Sequence, residues 1–260
     1  MRKVMKYTVI DLLRSRWTYF YCGFFFILSG LLFLLSNDPS QVIITLMNVV
    51  LILVPLISTI FGVMYYYNSR EFAELLLAQP IKRTDIFLGQ YLGIACSLSF
   101  SIALGIGLPL LIFSSISDLS IGNYLMLIVT GIFLSLIFSA ISFLTALLFE
   151  NKLKGFGASI FIWLFFAIIY DALFLIALSF FSDYPLENFA LFASIGNPID
   201  LSRILIILKL DISALMGYTG ALFSKLMGNF NGMLVAFSVL MAWIIIPLVG
   251  IVRVSLKKDF

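Results

Sequence analysis

Three polar clusters interrupt an otherwise apolar chain, and they are the places where chemistry could occur. The first is a single carboxylate, Asp171, next to Tyr170 in the run WLFFAIIYDALFLIAL from Trp163 to Leu178. An ionised acid in the middle of a membrane costs about 2.5–3.5 kcal/mol on insertion scales, so it must face protein or water, or stay protonated. The second is NSREFAELLLAQPIKRTDIFLG, which begins at Asn68 and mixes Arg70, Glu71, Glu74, Lys82, Arg83 and Asp85. Charges packed this densely between apolar runs suit charge-assisted docking. The third, NPIDLSRILIILKLDIS from Asn197, carries Asp200, Arg203 and Lys209.

Other chemistries are excluded by residue type. There is no histidine, so H-E-x-x-H metal sites, serine–histidine pairs and imidazole copper ligands cannot be built. No G-x-x-x-x-G-K-[ST] run exists to cradle a nucleotide phosphate. Cys22 and Cys96 both fall in apolar runs, where a small packing residue is expected rather than a disulfide. Met216, Met227 and Met233 are soft enough for Cu(I), but methionines scattered through an apolar chain ordinarily pack. No residue is assigned to a metal.

The elements that must position these clusters follow from composition. The chain of 260 residues is 62% hydrophobic and 11% charged, with a mean hydropathy of +1.15. Soluble domains carry about 25% charge. The bilayer is therefore the expected solvent. Six segments reach the ~20 apolar residues that a spanning helix needs: about 17–35, 42–67, 86–113, 121–149, 156–181 and 232–252. Pro55, Pro109 and Pro247 fall inside three of them and predict kinks or local breaks. The fold class is thus an all-α integral membrane protein, one six-span domain over 17–260.

Placing both termini and the 68–85 and 150–154 loops on one side puts 13 of the 16 cations there: Arg2, Lys3, Lys6, Arg14, Arg16, Arg70, Lys82, Arg83, Lys152, Lys154, Arg253, Lys257 and Lys258. That side is expected to be cytoplasmic, and the basic excess reads as topology rather than nucleic-acid binding. Arg203, Lys209 and Lys225 lie opposite with Asp38, Asp118, Asp183, Glu187, Asp200 and Asp211. Residues 1–16 read as an amphipathic helix on the membrane surface, with Met5, Val9, Leu12 and Leu13 on one face; a plain basic tail is the alternative. The long apolar run that follows does not fit a cleaved signal peptide.

Within 68–85, Asn68 can cap a short helix with Glu71 completing a capping box. That helix presents Glu71 and Glu74 to water and Phe72, Leu75 and Leu76 to something apolar. Pro80 stops it, and Thr84 or Asp85 can cap the next span. Such a helix, tied to spans at both ends, could act as a lever for a cytoplasmic partner or be only a solvated hairpin.

No base falls inside any expected span, so Asp171 has no obvious cationic partner there. Tyr170, Ser139, Thr145 and Asn48 are its expected neutral ones. Asp171 could line a dimer interface or central cavity and assist a switch, or be a protonated structural acid. Gly89, Gly93, Ser97, Ser101 and Gly105 repeat every fourth residue, as do Gly131, Ser135 and Ser139, which predicts close helix contacts within the subunit.

The order of these features resembles the permease subunits of type-2 ABC exporters. The likeness is carried by Arg70, Glu71, Glu74, Leu75, Leu76, Leu77, Pro80, Ile81, Arg83, Asp85, Ile86, Gly89 and Gly93. In that family this helix docks in a groove of a separate ATPase. The resemblance implies a homodimer in the bacterial inner membrane with two cytoplasmic ATPase subunits, ATP and Mg being held by those partners and no cofactor by this chain. The coupling residues it implies are Asn68, Ser69, Arg70, Glu71, Phe72, Glu74, Leu75, Pro80, Lys82 and Arg83.

Three places are similar to the NosY subgroup, which serves copper-site assembly in nitrous oxide reductase: the run around Asp171, the segment from Asn197, and the basic C-terminal end. That subgroup implies a periplasmic β-helix partner. Its expected contacts are Asn197, Pro198, Asp200 and Arg203, in the outer loop 182–231. The alternative there is a re-entrant element that plugs the outer mouth. The output would be export, or a mechanical change in the periplasmic partner. A generic exporter and an ATP-independent secondary transporter are the competing functions, although no internal repeat or ion-site cluster supports the latter.

Overall fold

A computed structural model of the chain describes residues 1–36, 38–113, 121–181, 187–210 and 217–257. Asp118, Asp183, Asp211, Met216 and Lys258 lie outside the described residues, as do the side chains of Glu187, Lys225 and Met227. The elements are α1 (Arg2–Arg14), α2 (Arg16–Leu35), α3 (Pro39–Asn68), α4 (Arg70–Leu77), α5 (Arg83–Phe113), α6 (Ile121–Leu148), α7 (Lys152–Leu164), a π-helical turn (Phe165–Ile169), α8 (Tyr170–Phe180), α9 (Glu187–Ile195), α10 (Pro198–Leu210) and α11 (Gly217–Lys257). Six helices among the described residues are long and apolar enough to cross a membrane. The chain is an all-helical, multi-pass membrane protein.

Local chemistry sets the helix starts. Asp38 caps α3, its Oδ1 accepting from the Ser40 amide at 2.9 Å, with Pro39 at the first helical position. Asn151 caps α7 through the Leu153 amide at 2.9 Å. The helices run on through Pro55, Pro109 and Pro247. The break in the last helix comes instead at Gly228, whose φ of 71° suits glycine, and the helix begins earlier than expected, at Gly217.

α5 and α6 form the centre. Gly62 of α3 lies directly against Ser142 of α6, and Gly131 of α6 against Ile102 of α5. The small-residue stripe of α5 holds α1 and α2 along its length. A Cβ on Gly89 would meet Val4 at 3.0 Å, one on Gly93 would collide with Thr8, and one on Gly105 would lie 2.9 Å from the Cys22 carbonyl. The Ser29 hydroxyl donates to the Gly105 carbonyl at 3.1 Å. α1 is thus packed parallel to the first turns of α5. Its buried stripe is Val4, Thr8 and Leu12. Met5, Val9 and Leu13, expected to be the apolar face, flank it half-buried. The glycine groove selects the stripe that approaches most closely.

The two groups of cations separate to opposite ends. Lys152 donates to Asn68 at 3.2 Å, and the Met1 amino group pairs with Asp85 at 3.4 Å. Lys209 lies at the other end, where a Cβ on Gly122 would be 3.5 Å from its Cε.

Candidate functional site

At the cation-rich end, α3 passes to α4 through one residue. Ser69 is the junction, and its hydroxyl donates to the Tyr65 carbonyl at 2.7 Å while Gln90 donates to that hydroxyl at 3.3 Å. Asn68 is the last residue of α3 and takes the Lys152 ammonium, so it caps nothing and Glu71 completes no capping box. The next span starts at Arg83, before Thr84 and Asp85, and Asp85 is turned to the Met1 amino group. Pro80 and Lys82 are exposed in the five-residue link to α5.

The inner face of α4 is Phe72, Ala73, Leu76 and Leu77. Ala73 is buried, Phe72 stacks on Tyr7 with ring centroids 4.8 Å apart, and Leu76 and Leu77 pack on the core. Leu75 was expected on that face. It points outward instead, 69% exposed, because it follows Glu74 by one residue and Glu71 by four. Arg70 pairs with Glu74 at 3.0 Å along the outer surface. The result is one apolar knob between two acids.

At the opposite end, α9 and α10 form a hairpin bent by 107°. Nine of the thirteen residues of α10 are buried, Asn197 before it is fully buried, and Pro198 opens it from inside the bundle. The two helices together have the length and apolar composition of a broken span or a re-entrant loop. The side chains of Asn197 and Pro198, expected to meet a periplasmic protein, are buried within the bundle. Asp200 and Arg203 also turn into the bundle, to partners described below.

The tip of the hairpin is clamped to the fifth span. Asn197 Nδ2 donates to the Phe166 carbonyl at 3.0 Å, inside the π-helical turn, and to Asp200 at 3.0 Å. Its Oδ1 accepts from the Ile199 amide at 3.0 Å and so starts α10. The Tyr170 hydroxyl donates to the Ala193 carbonyl at 2.6 Å, and a Cβ on Gly196 would come within 2.5 Å of it. A larger residue at 196 would have to displace that hydroxyl from Ala193. Trp243 of α11 adds an indole donor to the Ile195 carbonyl at 3.1 Å.

Asp171 meets this tip. Arg203 reaches it at 3.5 Å and Asp200 at 3.1 Å, and Asn197 lies 3.5 Å from Asp171. No span residue was expected to offer Asp171 a cation; its partner comes instead from α10, which folds back and brings Arg203 in. Of the neutral partners expected, Tyr170 serves Ala193, Ser139 and Thr145 serve carbonyls of their own helix, and Asn48 is exposed. Residues first assigned to a switch and to a partner surface thus form one cluster of two carboxylates, one guanidinium and one amide. With both acids ionised it carries one net negative charge, so it can hold a proton or act as a latch between α8 and α10.

Sequence reasoning missed Trp243 and the Phe166 carbonyl; neither has a spacing signal. Among the described residues, no group of three or more Cys, Asp or Glu could hold a metal ion. Cys22 and Cys96 are free, and Met233 packs against the core. Apart from the face that meets the hairpin tip, the fifth span is little covered: α7 is buried at Gly155 and Ser159 alone and α8 nowhere. The sequence matches no protein-family model, and no curated protein matches it.

Proposed function

We propose that this chain is the permease subunit of an ABC transporter, which couples a separate cytoplasmic ATPase to movement of its spans. The observation that carries this reading is α4. It is a short helix joined to α3 by one residue and to α5 by five, and it presents Leu75 between Glu71 and Glu74 at the cation-rich end. A helix tied so closely to two spans passes any displacement on to them. The uncovered fifth span supports a homodimer, because a second copy can cover what this one leaves open.

ATP and Mg would bind the partner, since this chain has no phosphate-cradling loop. Delivery of a mechanical change to a periplasmic protein, in copper-site maturation of nitrous oxide reductase, rests on the likeness of three segments alone. The thin intramembrane polarity favours that output over a hydrophilic path.

Co-expression with a candidate ABC ATPase from the same genome tests the reading. The wild-type chain should retain that ATPase through purification, and Glu71→Arg, Glu74→Arg or Leu75→Asp should release it. Equal retention by all three variants would overturn the proposal, as would solute flux independent of ATP, which belongs to a secondary transporter.

A further inference from the structure

A cavity lies beside the inner face of α4, where Asn68, Ser69 and Phe72 line it, and far from the hairpin cluster. It is a half-open space of about 620 Å³ between α1, the start of α2, the last turns of α3 and α4. That volume is in the range of small-molecule sites, ~300–1,000 Å³. Its lining is divided. Trp17, Ile60, Phe61 and Met64 supply apolar lining, Asp11 and Arg14 the charged lining, and Asn68 and Ser69 further polar groups. Trp17 is 69% exposed and Tyr19 67%. Exposed Trp and Tyr at the point where apolar sequence turns basic mark the headgroup level of a membrane. A half-open cavity at that level is within reach of lipid.

The charges in the lining select the headgroup. Residues 1–16 carry Arg2, Lys3, Lys6, Arg14 and Arg16, which attract anionic lipid to the surface in general. Only Arg14 of these lines the cavity, and it is matched there by Asp11. Among the described residues neither takes part in an ion pair. An anionic headgroup would satisfy Arg14 and set an uncharged group against Asp11. A headgroup with both a phosphate and an ammonium satisfies both.

We propose that this cavity binds one zwitterionic phospholipid, its phosphate on Arg14, its ammonium on Asp11 and an acyl chain along Trp17, Ile60, Phe61 and Met64. The inference needs only that the chain is embedded in a membrane and stands apart from any ATPase.

Native mass spectrometry of the full chain tests it, with equimolar phosphatidylethanolamine and phosphatidylglycerol of identical acyl chains added in detergent. Phosphatidylethanolamine should be retained about fivefold over phosphatidylglycerol, the size of one exposed charge pair. Asp11→Asn should bring that ratio to about one. Arg14→Gln and Met64→Trp should lower phosphatidylethanolamine retention, the second by filling the cavity from an exposed position. These three positions are at the surface, so the fold should survive, and an unchanged melting temperature checks that. Lys6→Gln removes an equal charge outside the cavity and should leave retention unchanged. The proposal is overturned if neither lipid is retained, if phosphatidylglycerol is preferred, if Asp11→Asn leaves the ratio unaltered, or if Lys6→Gln acts as strongly as Arg14→Gln.

Discussion

The two short helical connectors, α4 at one end of the bundle and the α9–α10 hairpin at the other, use the same residue types in opposite ways. Each places an arginine one turn from an acid: Arg70 with Glu74, and Arg203 with Asp200. On α4 the pair lies along the outside, about half exposed on both partners. On α10 the pair is turned inward, with Asp200 16% exposed, and recruits Asp171 from the fifth span. An exposed pair of this kind is worth ~0–1 kcal/mol, whereas breaking an inward one strands a charge away from water. The same two residue types therefore decorate one connector and hold the other in place.

The strongest way to break that contrast is Arg203→Met. It leaves two carboxylates facing each other without a cation and should destabilise the protein by about 2–3 kcal/mol, below the fully buried value because Arg203 keeps some access to solvent. Thermal unfolding in detergent measures it. Adding Asp171→Leu and Asp200→Leu to Arg203→Met should recover most of the loss, and no recovery would mean that the hairpin is held by something else. Asn197→Leu removes donors to Phe166 and Asp200 and the cap of α10, and should cost about 2 kcal/mol in the same assay. At the other end, Gly93→Val drives a side chain into Thr8 and should cost about 1–3 kcal/mol, with faster proteolysis of residues 1–14. Trp243→Phe keeps the ring but loses the bond to Ile195, an expected loss of about 1 kcal/mol. Arg70→Ala should fall within about 0.5 kcal/mol of wild type. A large destabilisation there would erase the distinction between the two connectors.

Much of this architecture is legible in the amino-acid order, for physical reasons. Spanning helices announce themselves because hydrocarbon demands an unbroken apolar length, and the six spans fall within a few residues of their expected bounds at most ends. The glycine and serine stripe of α5 likewise foretells a close partner, though not that α1 is part of it. The polar cluster is harder to read. Arg203 stands 32 residues from Asp171, and a charge in a connecting segment is ordinarily assigned to water. A signal was present all the same. From Ile204 to Leu208 the sequence is apolar without interruption, and a helix apolar all round is a buried one. The π-helical turn has no such trace, since FFAII reads like the residues on either side of it.

That turn has a further geometric result. Each residue of an α-helix advances the chain by ~100° around its axis, and a π-helical turn accommodates one residue more than regular winding would. Were the Phe166 carbonyl to lose its Asn197 amide and the helix to rewind regularly, everything from Tyr170 to Phe180 would swivel by roughly that amount against the half below it. Asp171 would then sweep away from Arg203. In that event, release of the hairpin and rotation of this half of the fifth span would go together.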